Sequence, residues 1–189
     1  MNKFLKIIFM IFLVFLSGCT FNSKLEKYEV SKSNDEVKYN DVIFRLVSEK
    51  EEYKHGEEVK LFGEIEYVGE KEEVEIPLSA IIFSIKEIVR DYDIKYRRMD
   101  KNEEQAVLIS TTLKQGEPYR FMYDRKASYS PKDDNDSYVR FIQSFVDFGF
   151  PKGYYVVNGH IELLSGTEEK DENREKVKLE SKIEFKVFE

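Results

Sequence analysis

Beyond residue 40, apolar and polar residues alternate along most of the chain. In residues 59–67, VKLFGEIEY, the side chains of Val59, Leu61, Ile65 and Tyr67 fall on one face, and Lys60, Glu64 and Glu66 on the other. In 176–188, Val177, Leu179, Ile183, Phe185 and Val187 oppose Lys178, Glu180, Lys182, Glu184 and Lys186. A period of two sustained over such lengths predicts strands with one dry face. Residues 42–47, 80–89, 106–113, 119–123 and 154–164 carry the same kind of signal, separated by turns rich in Gly, Pro, Asn, Asp and Lys. About seven strands at this spacing predict an all-β fold, an antiparallel sandwich of two sheets. One stretch differs. In SYVRFIQSFVDF, 137–148, Tyr138, Phe141, Ile142 and Phe145 follow helical spacing after Asp136 or Ser137 as a cap, although the composition would also suit a strand.

The first residues follow another plan. Lys3 and Lys6 precede an unbroken apolar run from Ile7 to Leu16, too short to span a bilayer, which takes about 20 residues. Ser17, Gly18 and Cys19 follow it. The stretch LSGC, 16–19, resembles the lipobox of bacterial lipoproteins: an aliphatic residue, two small ones, and a cysteine that receives diacylglycerol. The resemblance implies a signal peptide over 1–18 and a lipid anchor, palmitate included, on Cys19. Cys19 is the chain's one cysteine. Once acylated, it leaves no thiol for a disulfide, a metal site or a nucleophile. Residues 19–40 are polar and lack periodicity, so they read as a lipidated, flexible tether. Residues 41–189 have the length of one domain.

Charge narrows the partners. The formal net charge is −7, and it deepens by two when Lys3 and Lys6 leave with the signal peptide. That sign argues against nucleic acid and against a polybasic grip on anionic lipid. The membrane is therefore expected to be reached through the lipid on Cys19, on the extracytoplasmic face of the cell membrane. The Lys, Glu and Ile content points to a Gram-positive source.

Three turns precede alternating strands: YKHGEEVKLF from Tyr53, LKQGEPYRFMY from Leu113, and GFPKGYYVVNG from Gly149. The Gly-Glu pairs are expected where glycine takes the left-handed conformation. The order of the three turns resembles bacterial immunoglobulin-like modules, including the domain of the intracellular proteinase inhibitor family of bacilli. That resemblance implies an immunoglobulin-like antiparallel β-sandwich, and protease inhibition or regulation as one activity. The chain lacks tryptophan, which that family tends to show in its middle strands.

No catalytic motif stands out. His55 sits in a Gly-Glu turn and His160 on a strand, without HExxH spacing, and neither a GxSxG elbow nor an SxxK is found. The acidic run at 133–136 lacks the EF-hand pattern. Counted from Asp133 or Asp134, the sixth position holds Tyr138 or Val139 where glycine is needed, and the twelfth holds Ser144 or Phe145 where an acid is needed. No metal or cofactor is expected. The long connection 124–138 is the candidate binding loop. Segments of this length are often recognition elements, and Lys126, Tyr129, Lys132, Asp134 and Tyr138 mix aromatic rings with charge. The bland reading is a surface insertion. The basic stretch 95–101 reads as a solvated hairpin tip.

These readings converge on a non-enzymatic binding module for a protein or envelope component, with a surface protease inhibitor as the alternative. Replacement Cys19→Ala is expected to move the protein from the membrane fraction to the soluble or unprocessed fraction and to abolish palmitate incorporation. Processed protein that still fractionates wholly with membranes would contradict the anchor.

Overall fold

The computed structural model describes residues 21, 23–95, 108–125, 127–128, 135–164 and 175–189. A helical turn at 23–25 leads into β1 (Asn34–Tyr39), β2 (Val42–Ser48), β3 (Glu52–Lys54), β4 (Leu61–Tyr67), β5 (Glu73–Ser79), β6 (Ile82–Glu87), β7 (Tyr92–Ile94), β8 (Leu108–Lys114) and β9 (Tyr119–Met122). Helix α1 (Asp136–Phe148), β10 (Gly153–Leu164) and β11 (Lys176–Phe188) complete the order. The chain is mostly β, as its alternation predicted.

One sheet has the order β1-β2-β4-β9. The other runs β3-β11-β10-β5-β8, with β6 continuing beside β10 and β7 pairing with β6. Pairing is antiparallel except between β3 and β11, which run parallel. The two sheets meet through their apolar faces. Leu46 and Leu61 of the first pack with Tyr155, Val157, Ile183 and Phe185 of the second. Phe44, Ile65 and Tyr67 pack with Ile76, Leu78, Leu113, Ile161 and Leu179. At one end Phe150 stands edge-on to Phe145, Tyr155 and Phe185 at 4.9–5.1 Å between ring centres, an arrangement aromatic quadrupoles favour. The outer face of the first sheet carries one row of alternating charge across its four strands, in the order Glu36, Arg45, Glu64, Arg120. Arg45 bonds Glu36 and Glu66, and Arg120 bonds Glu64.

The stretch 80–89, expected as one strand, is shorter because it is interrupted at both ends. Leu78 lies opposite Leu163 but Ile82 opposite His160, so four steps on this strand match three on β10 and a bulge falls at Ala80–Ile81. The Ser79 hydroxyl takes the ladder hydrogen of the Glu162 amide there, at 2.9 Å. At the other end the chain turns back through 88–91 into β7. Strand β5 escaped the sequence reading because Pro77 sits within it. The short β3 and β7 are too brief for a period to show.

Helix α1 forms where its spacing predicted, with Phe141, Ile142 and Phe145 buried. Its cap is Asn135 rather than Asp136 or Ser137: the Asn135 side chain accepts the amides of Ser137 and Tyr138. Gly56 and Gly116 hold φ of +82° and +70°, the left-handed conformation expected of the two Gly-Glu turns.

The tether expectation for 19–40 needs correction, since β1 occupies 34–39 and the residues before it lie along the domain. Leu25 is buried, and Tyr28 stacks on Tyr154 at 4.9 Å. The Glu184 amide donates to the Lys32 carbonyl, the Lys186 amide to the Glu51 carbonyl, and the Lys182 amide to the Asp35 carboxylate. Residues 32–35 and 51–54 thus cover the edge of β11 that would otherwise expose unpaired donors. The polar composition hid this, because the segment docks through hydrogen bonds and a few scattered apolar contacts, Leu25, Tyr28, Val37 and Tyr39, rather than a long apolar stripe.

Glu184 is the hub of that docking. Its carboxylate accepts both the Ser31 amide (2.9 Å) and the Ser31 hydroxyl (2.7 Å). Burial pushes its pKa up, but hydrogen bonds from Ser31, Tyr154 and Lys182 outweigh that and hold it at about 2. A folded-state pKa below the unfolded one contributes stability above about pH 4.5 that is lost as pH falls toward 2. Urea unfolding at pH 6 and pH 3 is expected to show an acid loss smaller by about 1–2 kcal/mol in Glu184→Gln than in the parent. An identical loss in both proteins would remove Glu184 from this role.

Candidate binding cleft

A cleft of about 800 Å³ opens beside the bulge. One wall is Ala80–Ile85, where the strand leaves β5 and has not yet met β7. The other is Phe121–Asp124 at and beyond the end of β9, and Asp93–Lys95 closes one side. The position follows from the topology. Strand β8 pairs with β5 as far as Ser79, and β7 pairs with β6 only from Ile85, so the intervening residues face the cleft with that side unpaired among the described strands.

The cleft is apolar inside and charged at its rim. Phe83 and Tyr123 meet edge to face at 5.2 Å, and Ile81 reaches inward until its Cδ1 lies where a Cβ on Gly63 would sit, 2.3 Å from that position. Burial, reinforced by the Asp124 charge, pushes the Tyr123 hydroxyl well above its usual range, so it stays a neutral hydrogen-bonding group at physiological pH. Met122 is 56% exposed at the mouth. Asp93, Lys95 and Asp124 supply the rim charges. The arrangement can bury an apolar group while charged and backbone polar groups orient what flanks it.

The loop singled out from sequence borders this cleft, but its described residues have structural duties. The Ser128 amide donates to the Lys95 carbonyl at 3.0 Å, and Ala127 packs on the core. Tyr138 is not a loop residue: it lies in the first turn of α1, its hydroxyl donates to the Asp93 carbonyl at 2.9 Å, and its ring meets Tyr92 edge-on at 5.3 Å. Both described ends of the connection are therefore fastened to β7. Lys126, Tyr129, Lys132 and Asp134 lie outside the described residues, as do Cys19 and, beyond Lys95, the basic stretch 96–101.

Neither histidine joins the cleft. His160 faces outward on β10, and burial together with Lys178 lowers its pKa. Among the described residues no three His, Cys, Asp or Glu side chains converge on a point that could hold a metal ion. Sequence reasoning missed the cleft because its walls, 80–85 and 121–123, read as ordinary strand, and only Asp124 fell in the candidate loop. The one available signal was the start of an apolar run, AIIFSI, directly after Ser79, with β-branched residues at 81 and 82 breaking the alternation.

No family model, curated protein or solved structure matches this chain.

Tyr138→Phe is expected to cost about 0.5–1.5 kcal/mol of unfolding free energy, the worth of one hydrogen bond, and to leave the far-ultraviolet spectrum unchanged. A loss below measurement would mean that the Asp93 contact does not hold α1 to β7.

Proposed function

We propose that this chain is a lipid-anchored lipoprotein on the extracytoplasmic face of the cell membrane whose domain is a non-enzymatic binding module, with the cleft beside the bulge as its binding site. The cleft carries this reading. Its interior offers Ile81, Phe83 and Tyr123, its mouth offers Met122, and its rim carries both signs of charge. An apolar side chain on an extended segment of a partner protein suits it, with backbone polar groups of 80–84, unpaired on that side among the described strands, facing the segment's main chain.

Strand order favours an immunoglobulin-like domain. Strands β2, β4 and β9 stand as A, B and E of one sheet, and the bent β5–β6, β10 and β11 as C, F and G of the other. Near the start of β10, the Tyr155 hydroxyl donates back to the Pro151 carbonyl, the pattern of a tyrosine corner at the connection from E to F. The LSGC motif supports the anchor. Among the described residues no helix is long and apolar enough to cross a membrane.

The test is site-specific. A photo-reactive amino acid at Met122 of the full chain, in its native cells, is expected to crosslink one partner protein, and the added substitution Ile82→Glu to reduce that capture about tenfold by placing an unpaired charge in the cleft. The same probe at Glu73, on the far part of β5, is expected to miss that partner. Equal capture from both positions, or capture indifferent to Ile82→Glu, would overturn the cleft as the site. A captured protease would turn the module into an inhibitor or regulator.

A further inference from the structure

The N-terminal segment reaches the domain almost at once. The Arg90 guanidinium carbon lies 4.3 Å from the centre of the Phe21 ring and 5.5 Å from that of Phe141 in α1, so one cation is sandwiched between the segment and the helix. Arg90 is itself fixed, donating to the Lys152 carbonyl at 2.8 Å and pairing with Glu87. Leu25 is buried where Glu52, Lys186, Phe188 and Glu189 gather. These contacts all lie at one end of the sheets, where β10 begins and where β3, β6 and β11 end.

Only two residue steps separate Cys19 from Phe21, a reach of about 7 Å fully extended. A lipid on Cys19 would enter the bilayer within that distance of this end of the domain. The same end exposes an apolar side chain that nothing among the described residues covers. Phe148, 69% exposed, follows Phe141 by seven residues and so lies on the same side of α1, about 10 Å further along the axis. Exposed Ile109 is placed otherwise: it pairs with Leu78, beside Leu163, near the far end of β10, about 35 Å of strand away from Gly153.

From this geometry we infer that the domain rests on the bilayer by its α1–β10 end, held in one orientation by Phe21 on Arg90, with Phe148 entering the interfacial layer where aromatic side chains are favoured. The inference rests on acylation of Cys19. Charges at this end are of both signs, with Lys152 paired to Glu189 and Lys86 to Asp91, so the contact is apolar rather than electrostatic.

The chain has no tryptophan, so a single introduced one reports alone. Full-length lipoprotein carrying Phe148→Trp, reconstituted in phosphatidylcholine vesicles with brominated acyl chains, is expected to lose most of its tryptophan fluorescence, while Ile109→Trp keeps its own. Adding Phe21→Ala to the Phe148→Trp protein is expected to restore the signal. Phe148→Trp unquenched, both probes quenched alike, or no response to Phe21→Ala would overturn the orientation. Should Phe148→Trp disturb the fold, a nitroxide on Phe148→Cys, read by its accessibility to oxygen against a water-soluble nickel complex, repeats the measurement. Acylation is read separately from the mass of the N-terminal peptide: an unmodified Cys19 brings down the anchor and this inference with it, whereas an acylated Cys19 with an unquenched probe brings down the orientation alone.

Discussion

A carboxylate with no exposed surface organises one end of this molecule. Glu87 is 0% exposed, and ionised carboxylates survive such burial only when their oxygens are fully hydrogen-bonded and a counter-charge stands beside them. Here the amides of Val89, Arg90 and Tyr154 donate to it, at 3.1, 2.8 and 3.3 Å, and the Arg90 guanidinium lies 3.3 Å away. Those donors come from the turn after β6 and the start of β10, so satisfying one side chain fixes both. Gly153 belongs to the same constraint: a Cβ there would fall 2.7 Å from the Glu87 side chain, closer than packing allows. Arg90, aimed by Glu87 and Lys152, then becomes the platform on which Phe21 and Phe141 stack.

Beside this polar staple sits the aromatic cluster around Phe150, which joins α1 to both sheets. Tyr155 links the two systems. Its ring stacks on Phe185 at 5.1 Å, its hydroxyl reaches Pro151, and burial together with the nearby Glu87 charge pushes that hydroxyl well above its usual range. Close-packed rings resist local opening, so the end of the domain that meets the N-terminal segment is held by ring packing as well as by hydrogen bonds.

Among the described residues, the outer pairing of the bent strand β5–β6 passes from β8, up to Ser79, to β7, from Ile85, across the bulge at Ala80–Ile81, and the cleft lies between the two. Binding surface is thus made from strand backbone already held by β10 on its other side. The first sheet contributes its edge, β9, whose inner residue Phe121 lines the wall while Arg120 is drawn outward to Glu64 and over the Phe62 ring at 4.0 Å.

The sequence by itself determined the long strands, because period-two alternation reports a half-buried sheet wherever it lasts, as in β2, β4, β10 and β11. It determined α1 from the spacing of Tyr138, Phe141, Ile142 and Phe145, and the left-handed turns from the Gly-Glu pairs at Gly56 and Gly116. Only the tertiary structure decided that residues 25–39 belong to the folded domain, since scattered contacts such as Leu25 and Tyr28, with hydrogen bonds to Glu184 and the β11 edge, leave no sustained period. It also decided that Tyr138 clamps α1 to β7 and that the cleft lies at 80–85. Both depend on which segments lie beside which, and that is a property of packing between distant parts of the chain, absent from any one of them.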